Sequence, residues 1–265
     1  MKVLVVNVNT TTSMTDAMAA RARQAAAPGT EIEALTPYFG PASVEGNMES
    51  HLSAVAVMDR VLAHPGPYDA VIQAGFGEHG REGLQELLAV PVVDITEAAA
   101  HLAMLLGRTY SVITTLDRAV PQIEDRLALA GLLARCASVR ASGLPVLDLE
   151  RNPDRAVKEI AEQAARAVRD DRAEVIVLGC GGMAGLEEAV RERAGVPVVD
   201  GVAAAVKLAE SLTGLGLTTS KIRTYAEPRP KQIIAWPLSE HLGMRPPGDS
   251  VSPGMGEPAP VAGDG

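Results

Sequence analysis

Short apolar runs alternate along the chain with glycine- or threonine-rich turns and with longer alanine-rich stretches. Lys2 to Val8 is a β-branched run ending in the polar loop Asn9-Thr10-Thr11-Thr12, and Ser13 to Ala26 then has the composition of a helix. The same order returns at Tyr110 to Ile113, which predicts a short strand. There Thr114-Thr115 opens a loop, and Val120 to Leu132 reads as a helix with Pro121 in its first turn. A stronger repeat appears when Asp69 to Gly77, running on to Pro91-Val92-Val93-Asp94, is laid over Glu174 to Gly182, running on to Pro197-Val198-Val199-Asp200. Each copy reads strand, glycine-rich turn, helix, strand. Alanine-rich helices, Glu97 to Leu106 and Val202 to Leu212, follow both copies.

Alternating strands and helices with short connections predict an α/β fold. Its architecture is two pseudo-symmetric lobes, each a parallel sheet flanked by helices, with the active-site cleft between them. The expected boundaries are 1–97 plus about 210–244 for the first lobe and 98–209 for the second. The Pro-, Gly- and Ser-rich stretch 245–265 reads as a disordered tail. In parallel sheets ligands gather beyond the carboxyl ends of the strands, where four loops would meet: Asn9 to Thr12, Gly75 to Gly80, Thr114-Thr115 and Gly179 to Gly182.

Composition narrows the class of partner. With 265 residues, 47% of them hydrophobic, the chain can bury a substantial core, while 3% aromatic residues leave little for base stacking. A net charge of -9 opposes nucleic acid and anionic lipid, so the expected partner is a small molecule. The N-terminal residues lack the pattern of a signal peptide and no run is long enough for a membrane span, which predicts a cytoplasmic address. In a reducing compartment Cys136 and Cys180 are expected as free thiols.

Cys180 lies between glycines, after a hydrophobic strand and before an expected helix, where backbone N–H groups and the helix dipole can stabilise a thiolate. The competing reading is a small packing residue in a tight turn, which is also the reading given to Cys136. Gly75 to Gly80 matches the dinucleotide pattern GxGxxG with Asp94 downstream, but it sits outside the first strand-helix unit where that fingerprint belongs. His51, His64, His79, His101 and His241 show no paired spacing, so no metal is expected.

Asn7-Val8-Asn9-Thr10-Thr11 with Met14-Thr15, Gly40 to Gly46, Gly179-Cys180-Gly181-Gly182-Met183 and Thr219-Ser220-Lys221 resemble the signature blocks of the hydantoin and allantoin racemases, within the aspartate/glutamate/hydantoin racemase superfamily. The resemblance implies a two-lobed fold, no cofactor, a homo-oligomer, and two cysteines that flank the substrate α-carbon. It also implies that Asn9 and Ser43 hold the polar edge of the substrate. One thiolate would remove the α-proton while a thiol on the other face returns one, and N–H and O–H donors would meet the developing enolate. Gly75, Phe76, Gly77, Thr114, Thr115 and Gly181 are the candidate binding positions by their place in the loops. The chain departs from the family where it carries Gly75 in place of the first-lobe cysteine. His79, in the same turn, becomes the candidate for the second proton transfer, against the alternative of an exposed histidine at a helix start. The function expected is a cofactor-independent racemase or epimerase acting on a hydantoin, ureide or amino-acid derivative with Cys180 as acid/base. A single-cysteine decarboxylase of the arylmalonate type and a binding relative that has lost turnover are the alternatives.

Overall fold

The computed structural model describes residues 1–233, so the tail expected from residue 245 lies outside the described residues. Met1–Pro228 form one compact unit. Its first half runs β1 (Lys2–Val6), α1 (Thr12–Ala25), β2 (Glu31–Leu35), α2 (Asn47–Leu62), β3 (Ala70–Gln73), α3 (Arg81–Leu87), β4 (Val92–Asp94) and α4 (Ile95–Leu106). The second half runs β5 (Tyr110–Thr114), α5 (Val120–Leu129), β6 (Cys136–Ala141), α6 (Asp148–Arg151), α7 (Pro153–Asp170), β7 (Val175–Leu178), α8 (Glu187–Ala194), β8 (Val198–Asp200) and α9 (Gly201–Gly214). The strands form two parallel sheets, ordered β2-β1-β3-β4 and β6-β5-β7-β8. The internal repeat is thus a repeat of topology: in each sheet the first strand of the half lies between the second and the third.

β3, β5 and β7 are buried along their whole length, which is why they read as unbroken apolar runs instead of alternating ones. Each Pro-Val-Val-Asp copy supplies an outer strand and, with its last residue, the cap of the next helix. Asp94 accepts from the N–H groups of Thr96 and Glu97, both at 2.8 Å, and Asp200 accepts from that of Ala203 at 2.6 Å. The two capped helices then cross over. α4 packs on β7 and β8 of the second sheet, α9 packs on β3 and β4 of the first, and the helices pack on each other. Their contact faces are Ala98, Ala99 and Ala103 against Ala204, Ala205 and Ala209, all buried in one core that spans both halves. Small side chains let the helices approach closely between two sheets, which accounts for an alanine-rich chain with few aromatic residues.

After α9 the chain returns to the first half. Thr219 bonds the backbone of Ala89 and Val90, and Lys221 Nζ donates to the carbonyls of Gln85 and Glu86 at the C-terminal end of α3. The Thr219-Ser220-Lys221 block therefore ties down that helix. No helix among the described residues is long and apolar enough to cross a membrane.

Candidate active site

The carboxyl ends of β1, β3, β5 and β7 converge on one cavity. Asn9, Gly75, Phe76, His79, Thr114, Thr115, Cys180 and Gly181 all line it, so the structure gathers eight of the ten sequence candidates. Ser43 and Gly77 are not in its wall: Val44 faces the cavity from the Gly40 to Gly46 loop, and the Gly77 N–H is bonded to Thr96 Oγ1 at 2.8 Å. Asn7 and Gln122 are polar wall residues that the sequence reading did not assign.

The β1 loop is shaped by its own side chains. Asn7 Nδ2 donates to Asn9 Oδ1 and Thr15 Oγ1, each at 3.0 Å, and Asn9 Oδ1 also accepts from the Thr11 N–H at 2.9 Å. With its oxygen so engaged, Asn9 presents its amide N–H side, whose partner in the structure is the weak acceptor Met14 Sδ at 3.6 Å. From the second half, Thr114 Oγ1 donates to the Gly179 carbonyl at 3.2 Å, which joins the two loops of that half.

Cys180 follows β7 directly and sets its Sγ 3.4 Å from the N–H of Gly182. Only a short 3-10 turn, Gly181–Met183, follows it, and α8 begins at Glu187. The helix dipole expected to stabilise a thiolate is therefore not at hand. Burial pushes the thiol up to about 11 against the pull of the Gly182 N–H, with the Glu45 charge adding to the rise. At neutral pH Cys180 is a thiol. Gly181 has no freedom to be anything larger: a Cβ there would lie 2.7 Å from the Ala74 carbonyl oxygen, where the two glycine-rich turns touch. Cys136 begins β6, away from the cavity, and burial pushes its thiol up to about 12.

The first-half turn is built differently. A Cβ on Gly75 would fall 2.5 Å from both His79 Cδ2 and Val8 Cγ1, so those two side chains occupy the space beside the backbone. His79 is buried, not exposed at a helix start. Ser50 Oγ lies 3.0 Å from its Nδ1 and 2.6 Å from the Glu78 carbonyl. Having one proton, given to that carbonyl, the serine accepts from Nδ1–H, which fixes the tautomer of the ring. Burial pushes the imidazole down to about 4, so it is neutral at physiological pH.

Behind His79 and Gln122 opens a second cavity, lined also by Asn47, Ser50, His51, Glu78 and Arg126. Glu78 Oε1 accepts from the Gly80 N–H at 2.8 Å and Oε2 lies 3.2 Å from Arg126 Nη1. The Glu78 side chain is 44% exposed; its partial burial, and then the neighbouring Glu82, push its carboxyl upward against the pull of the Gly80 N–H and Arg126. Asp94, the residue a dinucleotide reading would place on a ribose, caps α4 and pairs with Arg126 at 2.9 Å. No cluster of three or more His, Cys, Asp or Glu side chains suited to a metal ion occurs among the described residues.

Comparison with known proteins agrees with this architecture. The family model for Asp/Glu/Hydantoin racemase matches residues 3–209. A solved allantoin racemase from Pseudomonas fluorescens is 70% identical, covers 89% of this chain and 100% of its own, and superposes with a TM-score of 0.88. An allantoin racemase from Klebsiella pneumoniae is 39% identical, with coverage of 91% and 98% and a TM-score of 0.87. A hydantoin racemase from Rhizobium meliloti is 40% identical over 87% of this chain and 96% of its own. The chain belongs to the Asp/Glu/hydantoin racemase family. It is an isomerase of the racemase class, and neither the decarboxylase nor the binding-relative alternative is favoured.

Proposed function

We propose that the protein racemises a 5-substituted hydantoin, allantoin before others, by proton exchange at C5 between groups on opposite walls of the cleft. The observation that carries this reading is the meeting of the Cys180 turn with the Gly75 to Gly80 turn at one cavity. The similarity to two allantoin racemases supports the ureido-substituted ring. No cofactor enters the scheme, since the acidity of a carbon beside a carbonyl suffices. A cytoplasmic address and a homo-oligomeric state, both expected from the sequence, belong to the same reading.

Cys180 serves one face. For the other, the first-half turn offers two titratable side chains. His79 is the residue its sequence favoured, but a neutral ring near 4 with Nδ1 committed to Ser50 is a weak base at pH 7. Glu78, raised to about 8 on the same turn, is matched to the task, and we assign the second proton transfer to it. In the resting enzyme Cys180 holds its proton. In its ionised fraction Glu78 takes the C5 proton, and the electrons of the C–H bond move onto the C4 carbonyl oxygen as an enolate. The Cys180 thiol then protonates C5 from the opposite face, leaving a thiolate and a protonated Glu78 that the reverse reaction or solvent resets. To reach C5 the Glu78 carboxyl must leave Arg126 and turn from the rear cavity into the cleft. Asn9, Gly75, Phe76, Thr115 and Gly181 line the cavity, and their N–H and O–H groups are the donors the reading would assign to the enolate charge.

Glu78→Gln tests the assignment. In D₂O, single-enantiomer allantoin should lose racemisation by roughly 100- to 10,000-fold, while the Cys180 face still exchanges deuterium into one enantiomer with its configuration retained. Full racemisation by Glu78→Gln together with its loss in His79→Asn would return the second transfer to the histidine.

A further inference from the structure

Three amide side chains stand in the wall of the cleft, Asn7, Asn9 and Gln122. Asn7 Oδ1 accepts from the Asn9 N–H at 3.2 Å, and Asn9 Oδ1 accepts from Asn7 Nδ2 and from the Thr11 N–H. Gln122 comes from α5 in the second half and donates its Nε2 to Asn47 Oδ1, at the start of α2 in the first half. Its own Oε1 accepts no hydrogen bond among the described residues. Of the three amides, then, Gln122 alone has a carbonyl oxygen that is wholly unspent.

Gln122 also stands at a boundary. It and His79 are the two residues that line both the cleft and the cavity behind it, so their side chains form the partition between the two spaces. His79 is buried and tied to Ser50, whereas Gln122 is half-buried and held by a single bond from the other half. On the cleft side the wall is rich in apolar groups, with Val8, Met14, Met18, Val44 and Val146. On the far side it is polar, with Asn47, His51, Asp125 and Arg126, whose buried Nε has no hydrogen-bond partner among the described residues.

When a hydantoin racemises with its ring held in place, the hydrogen and the substituent on C5 exchange sides, so one pocket beside the ring must take the substituent of both enantiomers. An alkyl substituent asks only for apolar surface. A ureido arm brings N–H donors and a carbonyl, and against an apolar wall those groups would lose the hydrogen bonds they make in water. We propose that Gln122 is a specificity-determining residue that selects a urea-type arm on C5, its Oε1 accepting from the arm's terminal NH₂ at the partition, with Asn47 as the positioning residue that holds the amide. The inference rests on the protein acting on a 5-substituted hydantoin and adds the chemistry of the substituent. With Nε2 committed to Asn47, an acceptor is what Gln122 has left to offer, and the arm is rich in donors. The unpartnered Arg126 Nε supplies a donor for the arm's carbonyl on the far side.

The test compares kcat/KM for single enantiomers of allantoin and of 5-isobutylhydantoin, in which hydrocarbon groups of nearly the same shape replace the ureido arm. The wild type should prefer allantoin. Gln122→Met keeps the length of the side chain and removes the amide, and methionine suits a helix. It should lower the allantoin-to-isobutyl ratio by roughly 10- to 100-fold, with the loss falling on KM for allantoin. Asn47→Ala should lower the same ratio by a smaller factor, roughly 2- to 10-fold, because the acceptor stays but is no longer held. Asn47→Asp keeps an oxygen for Gln122 Nε2 and should restore it. Residues that merely support the fold would depress both substrates together. A Gln122→Met enzyme that keeps the wild-type preference for allantoin would overturn the inference and leave the substrate reading standing. A wild type that racemises neither compound, or 5-isobutylhydantoin as fast as allantoin, would remove that reading and the inference with it.

Discussion

The two glycine-rich turns are copies in topology and opposites in chemistry. After β7 the chain makes a short turn that carries its reactive atom on the first residue past Gly179, so the thiol of Cys180 points into the cleft without help from distant side chains. After β3 the equivalent position is Gly75, and Val8 and His79 close over it. A titratable carboxyl lies three residues later, at Glu78, held by the Gly80 N–H of its own turn and by Arg126 of α5. A thiol needs little beyond a dry pocket to hold its proton. The Glu78 carboxyl, 44% exposed and paired with Arg126, lies in the wall of the second cavity instead. The difference teaches that a duplicated turn can keep its topology while the titratable group it carries moves from the wall of the cleft to a second cavity behind it.

The largest effect that would break this comparison is at the simple turn. Cys180→Ala should remove C5 exchange on its own face and lower racemisation by roughly 100- to 10,000-fold, read as deuterium incorporation by NMR. The melting transition should change little, since a half-buried thiol is replaced by a methyl group. Racemisation at the wild-type rate would show that the second turn is not the chemical one.

The complex turn makes a prediction about pH and stability. His79 carries a proton below 6.5 in the unfolded chain but only below about 4 when folded. Folding therefore excludes a proton between those values, and stability falls as the solution is acidified through that window. The loss is about 3 kcal/mol between pH 6.5 and 4. Glu78 works in the opposite sense, because its raised value makes the folded state hold a proton that the unfolded chain releases. Comparison with His79→Gln in urea isolates the histidine: the wild-type enzyme should lose more stability on acidification than the variant. Equal losses would mean that the ring is charged or solvated in the folded state, which would reopen its role as a proton carrier.

Much of this was legible in the chain. The paired Pro-Val-Val-Asp segments announced the duplicated topology because a buried outer strand and a helix cap leave a local signature. Cys180 stood out because it interrupts a run of glycines. The crossover of α4 and α9 was not legible, since an alanine-rich helix declares that its neighbours are close without saying which sheet supplies them. His79 was read for its imidazole, whereas its burial and its bond to Ser50 depend on α2, far away in sequence. Glu78 was passed over for the same reason: its carboxyl is ordinary until Glu82 and Arg126 stand beside it. Arg126 itself reads as one more helical charge, and only the fold shows that it is nearly inaccessible.

The smallest and most specific test is Gly75→Cys, which would make the first turn resemble the second. On sequence grounds an added thiol would suffice, but the new Cβ would meet Val8 and His79 at 2.5 Å. Both side chains must shift, and overpacking of this kind costs about 1–3 kcal/mol, measurable as a lower urea midpoint. Val8→Ala in the same chain should recover part of that loss, while His79 keeps the remainder. The two substitutions should therefore be non-additive, the double variant being more stable than the sum of the single losses. Strict additivity would show that the glycine is not held by its neighbours. Recovery of stability in the double variant without a gain in racemisation would place the obstacle in geometry, because a thiol made welcome at position 75 still has to reach C5 from the first turn.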